Sequence, residues 1–126
     1  MNNENTEDKG RTELRKSTRV NCVSLILCTK SIYNGETVLY REPLELTLLN
    51  VSPGGLGIIS DKLFEKGSIL SLDMKLEDIS YQKIAARVIW NIKKGEAYRH
   101  GLEIVNISGT LYRHLSRLDN SVMTRI

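Results

Sequence analysis

Stretches in which apolar and polar residues alternate with period two dominate the chain after residue 19. The clearest of them covers residues 70–77, LSLDMKLE, and similar alternation covers 44–51, 84–90 and 98–104. Successive side chains of a β-strand point to opposite faces, so this pattern predicts strands that bury one face only. A shorter apolar stretch at 56–60 predicts one more strand.

Turn-forming dipeptides separate these stretches. Asn34-Gly35 is a strong hairpin signal, and Lys66-Gly67 and Lys94-Gly95 are further turn signals. Six or seven short strands at this spacing predict a mainly β fold, a small antiparallel barrel. A barrel also leaves no exposed sheet edge open to pairing with other chains.

The end of the chain changes to a helical period, which predicts a C-terminal α-helix over 109–124 that packs on the barrel. Ser108 or Thr110 can cap its first turn. Use of the apolar stripe as a partner-binding or dimerising face stays open as an alternative. The stripe consists of Leu111, Leu115, Leu118 and Val122, and the side chains expected on its solvent side are Arg113, His114 and Arg117.

The chain of 126 residues fits one domain with a single modest core. Residues 1–12 are polar and acidic, which predicts a disordered tail ahead of a domain over 13–126. No apolar run approaches the roughly 20 residues that cross a bilayer, and the polar start is not a signal peptide. We therefore expect a cytoplasmic protein without membrane insertion.

Two cysteines, Cys22 and Cys28, lie six residues apart in one predicted strand. An extended strand separates such residues by about 20 Å. A disulfide needs Cα atoms within about 7 Å, so we expect two free, buried thiols.

Positive charge is concentrated in one short segment, although the net charge of the chain is only +3. The segment ELRKSTRV, residues 13–20, carries Arg15, Lys16 and Arg19 immediately before the first predicted strand. Proteins that bind nucleic acid polymers usually spread their cations along a basic stripe. A local cluster fits a small anion better.

The segment NVSPGG, residues 50–55, predicts a tight reversal between two strands. Pro53 fits the second position of a type II turn, and Gly54 fits the positive φ of the third position. Asn50 and Ser52 are two residues apart, so their side chains should point to the same side. They can either cap their own turn or offer polar groups to a ligand.

The two segments together resemble the PilZ domain family of bacterial receptors for the dinucleotide second messenger cyclic di-GMP. The family signature is R-x-x-x-R before the first strand, followed by D/N-x-S-x-x-G in a barrel turn. The first motif corresponds to Arg15 and Arg19, and the second to Asn50, Ser52 and Gly55. The stretches RVIW at 87–90 and YRHGLEI at 98–104 look like the family's late strands.

This resemblance implies roles for the five matching residues. Arg15 and Arg19 would hold the phosphates and guanine faces of the ligand. Asn50 and Ser52 would contact guanine and backbone groups, while Gly55 would keep the turn open. Asn50 stands where many members have aspartate, so an amide replaces a carboxylate acceptor at the guanine edge.

Four more residues are possible neighbours of the ligand. Leu14 precedes the first arginine, a position that influences the number of bound ligands in the family, and the resemblance implies that an apolar residue there favours one ligand over a stacked pair. Lys16 could add a point charge, and Gly54 belongs to the same turn as Gly55. Trp90 stands near a tryptophan that lies beside the ligand in some members, but it shares parity with Val88 and favours a core position.

The sequence offers little for catalysis. His100 and His114 are the only histidines, and no zinc-binding spacing or phosphate-binding P-loop is present. The resemblance implies a non-enzymatic receptor, without a cofactor, that signals to a partner protein when the ligand orders the arginine segment. One alternative is a PilZ-like adaptor that works by protein contact alone. A barrel that binds single-stranded nucleic acid is the other, and it has few aromatics to support it.

Overall fold

The computed structural model describes residues 23–123, which form six β-strands and one α-helix. The bounds of the elements are β1 Val23–Tyr33, β2 Glu36–Ser52, β3 Gly55–Ser60, β4 Ile69–Leu76, β5 Ile79–Lys94, β6 Ala97–Ile104 and α1 Gly109–Met123. Predicted features at residues 1–22 lie outside the described residues, including the tail and Cys22.

The strands close into an antiparallel barrel in the order β1-β2-β3-β6-β5-β4. The predicted fold class, a small antiparallel barrel with a C-terminal helix, is therefore confirmed. Asn34 and Gly35 both have positive φ, 52° and 79°, as a two-residue type I′ hairpin requires. Gly67 and Gly95 also take positive φ at the predicted turns.

The core lies inside the barrel, and β4 illustrates how the alternating pattern builds it. Leu70, Leu72, Met74 and Leu76 are at most 3% exposed, while the residues between them are half-buried or exposed. Cys28 also belongs to this core as a free thiol, and burial raises its pKa to about 11. The thiol is therefore protonated at neutral pH and has little nucleophilic character.

Helix α1 begins with a capped turn and covers one end of the barrel. The Ser108 side chain accepts a hydrogen bond from the Leu111 backbone N–H at 3.1 Å, so Ser108 is the N-cap. Leu111, Leu115 and Leu118 are buried in the common core. These three leucines of the apolar stripe therefore pack within this chain, as the first of its two predicted uses requires.

His114 does not lie on the solvent side of the helix, where the sequence pattern placed it. Its side chain is 3% exposed and joins Tyr81 Oη at 2.7 Å to Glu77 Oε1 at 2.8 Å. Position 114 follows Leu111 by three residues and precedes Leu118 by four, so it lies on the edge of the apolar stripe. Arg117 donates to the same Glu77 oxygen at 2.9 Å, and these partners lower the pKa of Glu77. The network ties α1 to the turn between β4 and β5.

His100 is fully buried in β6 and fixes the segment that follows β3. The Phe64 backbone N–H donates to His100 Nε2 at 3.0 Å, so the ring accepts there. Burial lowers the pKa of His100, which keeps the imidazole neutral. The result is a rigid connection between β6 and the long loop before β4.

The turn between β2 and β3 lies at the same end of the barrel as α1 and the start of β1. Consecutive strands are antiparallel, so Val23, Ser52 and Ile104 all lie at this end. In the β1–β2 pairing, Ile26 is opposite Leu46, and the ladder runs from there toward Val23 on β1 and toward Asn50 on β2. The chain therefore enters the barrel one strand away from the predicted polar turn.

Candidate functional site

Three glycines lie side by side on the outer face of the barrel, and neighbouring side chains cover two of them. Gly55 and Gly57 of β3 pair with Glu103 and Gly101 of β6, and all three glycines occupy outward-facing positions. We call this area, together with the side chains of Asn50, Ser52 and Trp90 around it, the glycine face. Because glycine has no Cβ, a ligand or a neighbouring side chain can approach the backbone closely there.

Asn50 and Trp90 stand at opposite ends of one row across four strands. The row pairs Asn50 with Gly57, Gly57 with Gly101, and Gly101 with Trp90. The Asn50 amide lies over Gly57, where a Cβ atom would come within 2.5 Å of Oδ1. The indole N–H edge of Trp90 lies over Gly101 in the same way. Gly57 and Gly101 are paired neighbours, and paired Cβ positions in a sheet are about 5 Å apart. The amide over Gly57 and the indole over Gly101 therefore present their polar groups close together.

Trp90 is not a core residue, contrary to the expectation from its parity with Val88. Its side chain is 43% exposed. Val88 pairs with Leu102 and Trp90 with Gly101, so β5 has one extra residue between them, a β-bulge. The bulge reverses the alternation and turns Trp90 outward, with an open surface available for contact.

Ser52 lies in the adjacent row, which crosses the same strands. The row pairs Ser52 with Gly55, Gly55 with Glu103, and Glu103 with Arg87. Asn50 and Ser52 are both exposed and both face outward, so the predicted shared side is observed. Arg87 and Glu103 form an exposed ion pair at 3.2 Å, which closes the far end of this row.

Gly54 does not take the positive φ that a type II turn would require. Among the described residues, positive φ occurs elsewhere, and no residue of 51–55 adopts it. A type I turn has negative φ at both central residues and favours proline at the second position and glycine at the fourth, which fits Pro53 and Gly55. The Gly54 carbonyl accepts a hydrogen bond from Ile104 N–H at 2.9 Å, which fastens the turn to the end of β6.

Substitution by alanine is therefore expected to lower the stability of the protein at Gly55 but not at Gly54. A Cβ at Gly55 would clash with the Leu102 carbonyl oxygen, which is backbone and cannot rotate away, whereas a Cβ at Gly54 meets nothing within 4 Å. We expect Gly55→Ala to lower the free energy of unfolding by about 1–3 kcal/mol, within the usual range for disruptive substitutions. Gly54→Ala should leave it within about 0.5 kcal/mol of the parent. Urea denaturation of both variants checks this, and equal stabilities would contradict the assigned packing.

The sequence matches the PilZ domain family over residues 13–118. The chain belongs to the PilZ domain family. No curated protein sequence matches it.

Two solved structures support the PilZ fold. The crystal structure of YcgR in complex with c-di-GMP from Escherichia coli has 18% sequence identity and a TM-score of 0.54. The match spans 80% of this chain and 42% of the YcgR chain. The PilZ domain of YcgR with c-di-GMP, also from Escherichia coli, has 18% identity and a TM-score of 0.51. The match spans 80% of this chain and 82% of that domain.

The PilZ motifs are divided between described and undescribed parts of the chain. Asn50, Ser52 and Gly55 lie together on the glycine face. The predicted ligand residues Arg15 and Arg19, with their neighbours Leu14 and Lys16, lie outside the described residues. The roles of all these residues in ligand binding remain predictions.

A separate cavity of about 610 Å³ lies between β1, β2 and the segment that follows β3. Leu25, Leu46, Ile59 and Lys62 are among the residues that line it, and no predicted site residue does. Its position is explained by the short β3, which pairs with β2 only from Thr47 onward. The PilZ motif therefore points to the open glycine face rather than to this cavity.

Two residues of the site, Gly57 and Gly101, were not predicted from the sequence. A glycine in a strand interior is a signal for close approach, and both interrupt otherwise regular strands. Within residues 23–123, no cluster of three or more His, Cys, Asp or Glu side chains could hold a metal ion. None of the helical segments in that range has the length and apolarity to span a membrane.

Proposed function

We propose that this PilZ domain is a receptor for cyclic di-GMP that works by binding rather than by catalysis. The observation that carries the proposal is the glycine face, where Asn50 and Ser52 project from β2 beside three glycines and an exposed tryptophan. The comparison supports it, because the two YcgR structures that share the fold are both described with c-di-GMP.

The polar groups of the glycine face suit a guanine base. The Asn50 amide offers both a donor and an acceptor, and Ser52 adds a hydroxyl. The Trp90 indole adds an N–H donor and an exposed aromatic surface on which a purine can stack. Guanine presents both donors and acceptors on its edges, so this set can complement it.

Arg15 and Arg19 supply the positive charge that a dinucleotide with two phosphates requires. Guanidinium is planar and permanently charged, so it can hold phosphate oxygens in pairs and also stack on a purine. Arg19 precedes Val23 by four residues and Arg15 by eight. At about 3.3 Å per extended residue, their Cα atoms can be up to about 13 and 26 Å from Val23. Both can therefore reach the glycine face, whose nearest strand is the neighbour of β1.

Binding would then act as a switch. Ordering each residue of the arginine segment costs about 1–2 kcal/mol of backbone entropy. Charge-assisted hydrogen bonds of roughly 1.5–3 kcal/mol each offset this cost. The small net difference makes the order of the segment dependent on the ligand, and a partner protein would read the ordered form.

Calorimetric titration tests the proposed function directly. We expect the full chain to bind cyclic di-GMP with a dissociation constant near or below roughly 10 μM, about −7 kcal/mol. GMP and a short single-stranded oligonucleotide should give no comparable heat. Absence of binding to cyclic di-GMP would favour the adaptor alternative, and preference for the oligonucleotide would favour the nucleic-acid alternative.

A further inference from the structure

Phe64 attaches the segment between β3 and β4 to the barrel. It is the only buried residue within 61–66, at 3% exposed. Its backbone N–H donates to His100 Nε2 at 3.0 Å, and its carbonyl accepts from Asn91 Nδ2 at 3.0 Å. Its ring packs edge-on against the imidazole, with 5.4 Å between the ring centroids. His100 and Asn91 are paired residues of β6 and β5, so two neighbouring strands hold this one residue. We call these three residues the Phe64 latch.

The latch requires a neutral imidazole. Because His100 Nε2 accepts a hydrogen bond, the proton of the neutral ring must be on Nδ1. His100 is fully buried, and its Nδ1 has no hydrogen-bond partner within the part of the chain that the structure describes. A second proton, at Nε2, would face the Phe64 N–H, and the charged ring would lie in apolar surroundings. Opening the latch to water would remove both penalties.

The surroundings of His100 do not stabilise a charged ring. Burial lowers the pKa of His100, and no ion pair with a described residue offsets this effect. Its partners across the two ladders, Ile58 on β3 and Asn91 on β5, do not titrate. The charged side chains of the segment itself are all exposed to solvent, and they are Asp61, Lys62, Glu65 and Lys66.

Two other buried side chains within residues 23–123 can titrate, Cys28 and His114. Cys28 stays a neutral thiol below pH 8, because burial raises its pKa to about 11. His114 bonds to Glu77 beneath α1, at the other end of the barrel from the segment. A substitution of His100 therefore separates its protonation from that of His114.

We propose that the Phe64 latch is an acid-sensitive switch, which releases residues 61–66 from the barrel when His100 takes up a proton. Both ends of the segment would stay attached. Ser60 belongs to β3, and the Gly67 N–H donates to the Val88 carbonyl at 2.8 Å. The released part is short and otherwise exposed, as is typical of regions that open locally.

Release would also change the cavity beside β1 and β2. Asp61 and Lys62 form part of its lining, and the Phe64 side chain belongs to the buried core. Movement of the segment would displace one wall of the cavity and withdraw Phe64 from the core. The cavity would then connect with the apolar interior of the barrel. This inference does not depend on the binding of cyclic di-GMP.

The direction of the pH dependence follows from the lowered pKa of His100 in the closed form. In the open form the imidazole is solvated, and its pKa returns to about 6.5. The closed form is therefore fully favoured above pH 6.5 and loses stability as the pH falls below that value. If only the open form takes up the proton, its population rises about thirtyfold between pH 7.5 and pH 5.0.

Amide hydrogen exchange of the full chain, followed by NMR, tests the switch. Protection factors correct for the intrinsic effect of pH on exchange. We expect the protection factor of the Phe64 N–H to fall by about tenfold to thirtyfold from pH 7.5 to pH 5.0. The Ile104 N–H, which bonds to the Gly54 carbonyl at the other end of the barrel, should change by less than about threefold.

His100→Gln is the matched variant, because a glutamine carbonyl can accept from the Phe64 N–H but does not titrate. We expect it to abolish the pH dependence of Phe64 protection. An unchanged protection factor at Phe64 in the wild type would overturn the proposal, whether or not the variant folds. An equal fall at Ile104 would mean global unfolding instead of local release, and persistence of the effect in folded His100→Gln would assign it to another group. Either result would also overturn the switch.

Discussion

Replacing Arg15 or Arg19 with alanine is expected to weaken cyclic di-GMP binding by about tenfold to a hundredfold for each residue. The expectation follows from the loss of one charge-assisted contact of roughly 1.5–3 kcal/mol. Titration calorimetry of each variant measures the loss of affinity, and thermal denaturation without ligand checks that each variant is folded.

Arg11→Ala is the matched control for these variants. Residues 11–15 also have the R-x-x-x-R spacing, but the PilZ match begins at residue 13 and so leaves Arg11 outside it. Its replacement removes the same charge and should change the affinity by less than about threefold. Equal losses at all three positions would mean that only net charge matters. Losses at Arg11 and Arg15 without a loss at Arg19 would place the motif four residues earlier, and no loss at Arg15 and Arg19 would refute their assignment.

Replacing Gly101 with alanine is expected to displace Trp90 and to weaken ligand binding by about tenfold. An added Cβ would overlap the indole at Nε1, Cε2 and Cδ1, and the indole is a side chain that can move. The polar edge of Trp90 would then leave its position beside the Asn50 amide. The backbone is not obstructed, so the barrel should still fold.

The fluorescence of Trp90 provides the readout for this prediction. Trp90 is the only tryptophan in the chain, so its emission reports on this site alone. Cyclic di-GMP should change the emission of the wild type, and Gly101→Ala should alter the unliganded emission and reduce the ligand response. Gly109→Ala, at the first residue of α1, is the control, because alanine is favourable in a helix and an added Cβ there meets only the flexible Arg113 side chain. An unchanged affinity in Gly101→Ala would contradict a role for Trp90.

The barrel could be predicted because its signal is local. In β4 the side chains alternate without interruption, and the observed burial follows them residue by residue. The hairpin at Asn34-Gly35 was equally predictable, since both residues adopt positive φ readily. Alternation and turn chemistry both depend on neighbours in sequence, which the sequence alone displays.

The wrong expectations arose where that local signal is interrupted. The bulge before Trp90 inserts one residue into β5, and the local sequence RVIW at residues 87–90 contains no signal that predicts it. His114 has the helical position of a core residue but a polar character, and only its partners Tyr81 and Glu77 explain its burial. The type II turn expected at residues 52–55 was wrong because Gly54 does not adopt positive φ.

The glycine face depends on registers across strands, which no single stretch of sequence displays. Gly57 and Gly101 are 44 residues apart and become neighbours only through the pairing of β3 with β6. Asn50 and Ser52 could be selected in advance, because the second PilZ motif marks them. Their position on the same face as Trp90 could not be predicted, because the outward orientation of Trp90 also requires the bulge in β5.

The central claim is that cyclic di-GMP lies on the glycine face under the arginine segment. Intermolecular nuclear Overhauser effects between the guanine H8 protons and an isotope-labelled protein test it most directly. We predict contacts to the Asn50 side-chain amide and the Trp90 indole, with further contacts to Arg15 or Arg19. Contacts confined to the cavity beside Leu25 and Lys62, with none to the glycine face, would contradict the account.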